Sequence, residues 1–259
     1  MTAQTVDVYV KPREGGANVD DPAVERGIPS FSGTWQRARQ MSAADRAANP
    51  LGICYDPTKA GQLVTSGCAF QIDKLPLNKR AIAWLYFQDL AISGKYYCTP
   101  ASIPTMLVFP GYGVRFEQRS DRVKLEYMVL GRANSERIVW TDGRPFPPAS
   151  EVSYYGFSVG RYEGKELVVE TRNFTFDPTG IDENGRIPSS WLKHLTERYS
   201  VIGKDRMRLV LTIEDPLFLK APYTETLEMS PSSLPNAWTA CDPEEAGTAL
   251  MMVKPKYED

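Results

Sequence analysis

From Ile103 onward the chain is a succession of short segments in which apolar and polar residues alternate, each closed by residues that favour tight turns. "GVRFEQRSDRVKLEYMV", "ERIVWTDGRP", "GFSVGRYEGKELVVET", "HLTERYSVIGKDRMRLVLTIEDP" and "YTETLEMS" all have this form. Alternation sends successive side chains to opposite faces, so each segment reads as half-buried strand. "RSDR", "YEGKE" and "IGKDR" fit turns short enough to make the flanking strands antiparallel neighbours. Such a meander exposes two sheet edges unless it closes on itself, and the expected fold is mainly β, an antiparallel β-barrel. Residues 1–100 read differently, as polar and Gly/Pro-rich stretches with two helices, "QRARQMSAADRAAN" and "NKRAIAWLYFQDLAISG", the second stopping at Gly94. They are expected to form a helical or irregular extension packed on a barrel of residues 101–259, the whole being one compact unit.

Gly156, Phe157, Ser158, Val159 and Gly160 spell G-x-S-x-G, the pattern of a hydrolase nucleophile elbow. That elbow needs a helix directly after its serine. Here the chain alternates, turns at Glu163-Gly164-Lys165 and continues with the β-branched pair Val168 and Val169, so Ser158 is expected to be an ordinary strand residue.

Composition narrows the function classes. With 42% hydrophobic and 24% charged residues and a net charge of −2, the chain is of ordinary globular type and has no electrostatic reason to bind nucleic acid. No run reaches the length of a membrane span. The opening "MTAQTVDVYVKPREGG" lacks an export signal's charged and apolar regions, which points to the cytoplasm, or to the periplasm if the chain is a trimmed mature form. Cys54, Cys68, Cys98 and Cys241 include no C-x-x-C pair; a zinc site is not expected, and although three disulfide connectivities are formally possible, buried free thiols are the favoured reading. There is no dinucleotide fingerprint, P-loop, H-E-x-x-H or EF-hand loop, so no cofactor or metal is expected. Assembly into a homo-oligomer is compatible with all of this.

His194 is the chain's sole imidazole, the side chain best suited to proton transfer near neutrality. In a strand, His194, Thr196 and Arg198 share one face while Leu195, Glu197, Tyr199 and Val201 share the other, leaving Glu197 among apolar neighbours. Glu225 is similarly set in the row Tyr223, Leu227, Met229. Carboxylates on core-directed faces are costly unless paired. Either they join a buried ion network with Arg161 or Arg144, or their raised pKa makes them acids or bases in a cavity. Asp142 fits a turn in "TDGR", and Arg161 fits either a cross-strand ion pair or a clamp on substrate.

"TDGRP" at Thr141 to Pro145, "GFSVGRYEGKELVVET", "DENG" at Asp182 to Gly185, "HLTER" at His194 to Arg198 and "TIEDP" at Thr212 to Pro216 follow one another in an order that resembles a widespread family of uncharacterised bacterial proteins. "FSGTW" at Phe31 to Trp35 and "CTPASIPTML" at Cys98 to Leu107 are similar to its earlier segments. The resemblance implies a shared β-rich architecture and no particular reaction. Relatives commonly carry an export signal and a second histidine shortly before H-x-x-E-R, where this chain has Ile187 and Pro188. The "GTW" is also similar to the G-x-W start of lipocalins.

Together these readings point to a lipocalin-like barrel with a pocket for a small hydrophobic or aromatic molecule. The leading expectation is a cofactor-independent lyase, isomerase or cyclase using acid/base catalysis. His194 and Glu197 would be its catalytic groups, with Arg144, Arg161, Tyr155, Glu225 and Asp142 binding substrate. The competing expectation is a non-catalytic binding protein with the same pocket.

Overall fold

Met207, Leu209, Leu211 and Ile213 are all fully buried, while Arg206 and Arg208 before and between them are exposed. That period of two, which burial of each large aliphatic side chain stabilises by about 1.5–3 kcal/mol, recurs around a closed sheet. The computed structural model describes residues 27–37, 75–87, 90–99, 101–108, 113–128, 135–183, 187–203, 205–232 and 241–251. Their strands are β1 (Gly33–Arg37), β2 (Gly113–Gln118), β3 (Arg122–Met128), β4 (Ser135–Trp140), β5 (Phe157–Glu163), β6 (Glu166–Arg172), β7 (Asp177–Asp182), β8 (Ile187–Ser189), β9 (His194–Gly203), β10 (Arg206–Glu214) and β11 (Tyr223–Pro231). All but β7 and β8 form a closed barrel in the order β1-β11-β10-β9-β6-β5-β4-β3-β2. Closure leaves no edge strand unpaired, the hazard that an open meander of this length would carry. The mainly β, barrel-forming expectation holds.

Three details depart from the sequence reading. The barrel is not confined to residues beyond 101: β1 comes from the "FSGTW" region and closes the sheet between β11 and β2. Nor is the sheet wholly antiparallel, since β4 and β5 pair in parallel through Val139 with Ser158 and Trp140 with Val159. The connection of residues 141–156 is long enough to return the chain to the same end of the barrel, which a two-residue turn cannot do. The second helix ends early. α1 (Lys79–Phe87) is capped by Asn78, whose Oδ1 accepts from the Ala81 amide at 3.1 Å, and the chain then takes 3-10 turns at Leu90–Ile92 and Gly94–Tyr97. Gly94 serves close packing instead of ending the helix, for a Cβ there would lie 2.8 Å from Thr99 Cβ. The first expected helix, from Gln36 to Asn49, lies almost wholly outside the described residues, and its first two residues belong to β1.

Strand directions gather the end of β1, the start of β2, the end of β10 and the start of β9 and β11 at one mouth of the barrel. A cap sits there. It contains α1, the four-residue α2 (Thr105–Val108), and a two-stranded sheet of β7 and β8 inserted between β6 and β9. The β10–β11 loop joins it through the Leu77–Leu219 bridge and the Asn78 amide, which donates to the Phe218 carbonyl. At the opposite mouth the buried Phe31 lies against Gln118, whose side chain accepts from the Phe31 amide and donates to Tyr162 Oη at 3.0 Å.

The reading of all four cysteines as free thiols is overturned for two of them. Cys98 and Cys241 form a disulfide that fastens the C-terminal helix α3 (Pro243–Met251) to the 3-10 turn Gly94–Tyr97. Spacing along the chain could not reveal it, because 143 residues separate the partners and the fold alone brings them together. Cys54 and Cys68 lie outside the described residues.

Candidate functional site in the barrel interior

Among the described residues the inner face of the barrel is mostly apolar, with Gln118 near one mouth, Glu225 on β11 and one central polar cluster as the exceptions. Arg137 in β4 and Glu197 in β9 face each other across the interior and make two parallel bonds, Nη1 to Oε1 and Nη2 to Oε2, each 2.7 Å. Their side chains are 2% and 0% exposed, which makes this a fully desolvated fork-to-fork pair. Tyr199 donates to Glu197 Oε2 at 2.5 Å, and Phe116 packs edge-on against the Tyr199 ring. Arg137 Nη1 also donates to Thr171 Oγ1 at 3.3 Å, and the Thr171 hydroxyl is 2.9 Å from Ser158 Oγ.

Two donors in this cluster have no acceptor. Arg137 Nε and the Tyr127 hydroxyl are both buried and make no well-formed hydrogen bond, though the guanidinium lies close enough to the phenol oxygen to act on it. They are neighbours, with Arg137 Cζ 6.0 Å from the Tyr127 ring centroid, and Tyr155 stacks on Tyr127 at 6.1 Å. Burial drives the Tyr127 pKa well above the ordinary phenol value against the opposing pull of Arg137, so the hydroxyl keeps its proton. Burial works against the charge of Arg137, but the Glu197 carboxylate outweighs it and the guanidinium pKa stays above its usual value. The cluster therefore presents protonated donors, not a ready base.

The sequence-proposed residues divide between the two faces. Glu197 lies inside as expected, and Glu225 shares its row, since both pair with Leu211 of β10 from opposite sides. Glu225 is half-buried and accepts from the Tyr223 hydroxyl at 2.5 Å. Tyr155 reaches the interior through its stack on Tyr127. His194 does not: it is on the outer face, with Nδ1 2.9 Å from Glu214 Oε2 and Nε2 3.7 Å from Glu170 Oε2. Arg161 is also outside, bonded to Glu163 at 2.7 Å and across strands to Glu170 at 2.8 Å. Arg144 lies beyond the end of β4, bonded to Asp142 and stacked 3.5 Å over the Trp140 ring. The Arg144 guanidinium holds the Asp142 carboxyl below the usual range.

Glu197 thus has a buried cationic partner, but it is neither Arg161 nor Arg144. "SERIVW" puts apolar residues in both registers, Ile138 and Trp140 in one and Val139 in the other. Pairing of Leu125 with Arg137 and of Val123 with Val139 decides which register faces in. The alternation in β9 was the one local signal that could have pointed to a matching interior cation.

Ser158 is 1% exposed near the start of β5, and strand, not helix, follows it. The glycines of the G-x-S-x-G stretch have packing roles. A Cβ on Gly160 would lie 2.7 Å from Val139 Cγ1, and Gly156, at φ +69°, would bring one 2.5 Å from the Arg172 carbonyl oxygen.

A second buried polar cluster lies in the cap and had no local sequence signature. Lys193 is 1% exposed, and its Nζ donates to the Ile103 carbonyl at 2.8 Å, to Ser102 Oγ at 3.1 Å and to the Gly180 carbonyl at 3.1 Å. It also lies 4.1 Å over the Phe174 ring. Burial lowers its pKa to about 8, against the opposing pull of Asp177 and Asp215. Asp215, at the end of β10, accepts from the Ser190 amide and hydroxyl and from the Leu217 amide, tying the β8–β9 link to the β10–β11 loop.

Among the described residues no group of His, Cys, Asp and Glu side chains is arranged to hold a metal ion, and no helix is long and apolar enough to cross a membrane. No protein-family profile and no curated protein matches the chain. Among solved structures, an alanine mutant of the fluorescent protein UnaG aligns at 13% identity over 54% of this chain and 88% of its own, with a TM-score of 0.29.

Proposed function

We propose that this protein binds a small, largely apolar molecule inside its barrel. The observation that carries the reading is the pair of unspent donors, Tyr127 Oη and Arg137 Nε, in a mostly apolar interior. Buried donors are ordinarily satisfied, and a ligand that enters the barrel is a partner able to satisfy these. Barrels of eight or so strands have an interior that side chains can fill or that can hold one small ligand.

Binding accounts for the arrangement better than acid/base turnover by a lyase, isomerase or cyclase. His194 lies on the opposite face from the cluster, so that chemistry would fall to Glu197. Both Glu197 oxygens already accept short bonds from Arg137 and Tyr199. A carboxylate held on both oxygens in this way serves to fix the positions of Arg137 and Tyr199.

The Cys98–Cys241 bond adds a location to the proposal, since structural disulfides persist in oxidising compartments such as the periplasm. Thiol alkylation of the protein taken directly from its host checks this, with Cys98 and Cys241 expected to resist modification until reduced. The binding reading is tested by native mass spectrometry of the purified full chain and by titration with a neutral naphthalene dye. One small molecule per chain is expected. A chain that carries no adduct and binds no dye would sink the proposal.

A further inference from the structure

The interior cluster is electrically closed but not closed in hydrogen bonding. Arg137 and Glu197 neutralise each other through two parallel bonds, and Tyr199 occupies a further lone pair of the same carboxylate. What remains is donor capacity: the Nε–H and the second Nη2–H of Arg137, and the O–H of Tyr127. The two groups adjoin, and the Tyr155 ring stacks on Tyr127 beside them.

We infer that the ligand is uncharged and presents a carbonyl oxygen, as a ketone, ester or lactone on an apolar skeleton, that accepts from Tyr127 Oη and Arg137 Nε together. This deepens the binding reading above and rests on it. One carbonyl oxygen has two lone pairs and so matches two donors without adding charge. A carboxylate would place a second anion beside Glu197 with a single guanidinium between them, in a medium that screens poorly. The protonated state of Tyr127 agrees with a role as donor.

Three dyes test the inference on the full chain: a neutral propionyl-(dimethylamino)naphthalene, the same dye without its acyl group, and its carboxylate analogue. Wild type is expected to bind the ketone about tenfold more tightly than the acyl-free dye, the worth of one well-made hydrogen bond. Tyr127→Phe, which removes one oxygen and little volume, should erase that preference. Glu197→Gln leaves the Arg137 charge uncompensated and should turn the preference toward the carboxylate dye. Because this second variant disturbs a buried ion pair, its circular dichroism is checked first, and Tyr127→Phe carries the test if it does not fold. Equal binding of ketone and acyl-free dye, unchanged in Tyr127→Phe, would mean that the donors hold only a trapped water; the carbonyl inference then falls while the binding reading stands. Tightest binding of the carboxylate by wild type would overturn the neutral-ligand inference. Binding of none of the three by folded wild type would remove the binding reading, and the inference with it.

Discussion

The barrel interior and the cap each bury one cation completely, and they solve the same problem in opposite ways. Arg137 meets a carboxylate head-on, and its pKa rises because the Glu197 charge outweighs the loss of water. Lys193 meets only two carbonyls and a hydroxyl, with Asp177 and Asp215 acting at a distance, and its pKa falls to about 8. A guanidinium cannot give up its proton near neutrality and so must be paired, whereas an ammonium can escape its burial cost by losing charge. The barrel cation is locked into a fixed charge state, and the cap cation sits at the edge of titration.

The largest test of this contrast is removal of one partner in the barrel. Glu197→Ala leaves a buried guanidinium uncompensated and should cost about 3–5 kcal/mol, read as a shift in the urea midpoint. A loss under about 1 kcal/mol would place the pair in a wetter setting than its burial indicates. Next comes the covalent clamp on the cap. Cys98→Ser or mild reduction should lower stability by about 2–4 kcal/mol, measured by the same titration with and without reductant, while dye binding in the barrel persists.

The third test uses pH. The folded-state pKa of Lys193 is lowered from 10.5 to about 8, so between these values the unfolded chain holds the proton that the folded chain has lost. Stability should therefore rise as pH goes from about 8 to about 10, by on the order of 2 kcal/mol. Above about 10 it should fall, because burial raises the folded pKa values of Tyr127, Tyr154 and Tyr199, and the unfolded chain then loses protons that the folded one retains. Lys193→Met should abolish the rise and keep the fall. A rise that survives in this variant would contradict the assignment to Lys193.

The smallest effects belong to the outer face. Arg161→Ala breaks two exposed ion pairs and should change stability by no more than about 1 kcal/mol. His194→Ala should leave dye affinity unchanged within about twofold, because its ring contacts Glu214 and Glu170 outside the barrel. A large loss of affinity in His194→Ala would reinstate it as a site residue.

Legibility in the sequence followed the same division. Alternation in "HLTERYSV" placed His194 and Glu197 on opposite faces and marked Glu197 as the inward one, as the burial of β9 bears out. Its weakness was in "SERIVW", where both faces are apolar enough to be either inside or outside, so Arg137 went unrecognised. Arg161 was legible only as a choice between clamp and ion pair; Gly160 had to face inward against Val139 before Arg161 could be assigned to the surface.

By itself the sequence determined eight of the eleven described strands, the tight hairpins, the closure they demand and the refusal of a nucleophile elbow at Ser158, because these rest on local periodicity and turn chemistry. Tertiary structure alone decided the parallel β4–β5 pairing, the entry of β1 into the barrel, the Cys98–Cys241 bond, the seating of Lys193 and the meeting of Arg137 with Glu197. Each of those joins residues far apart in the chain, and the free energy that selects them comes from burial and pairing, which exist only once the distant segments have come together.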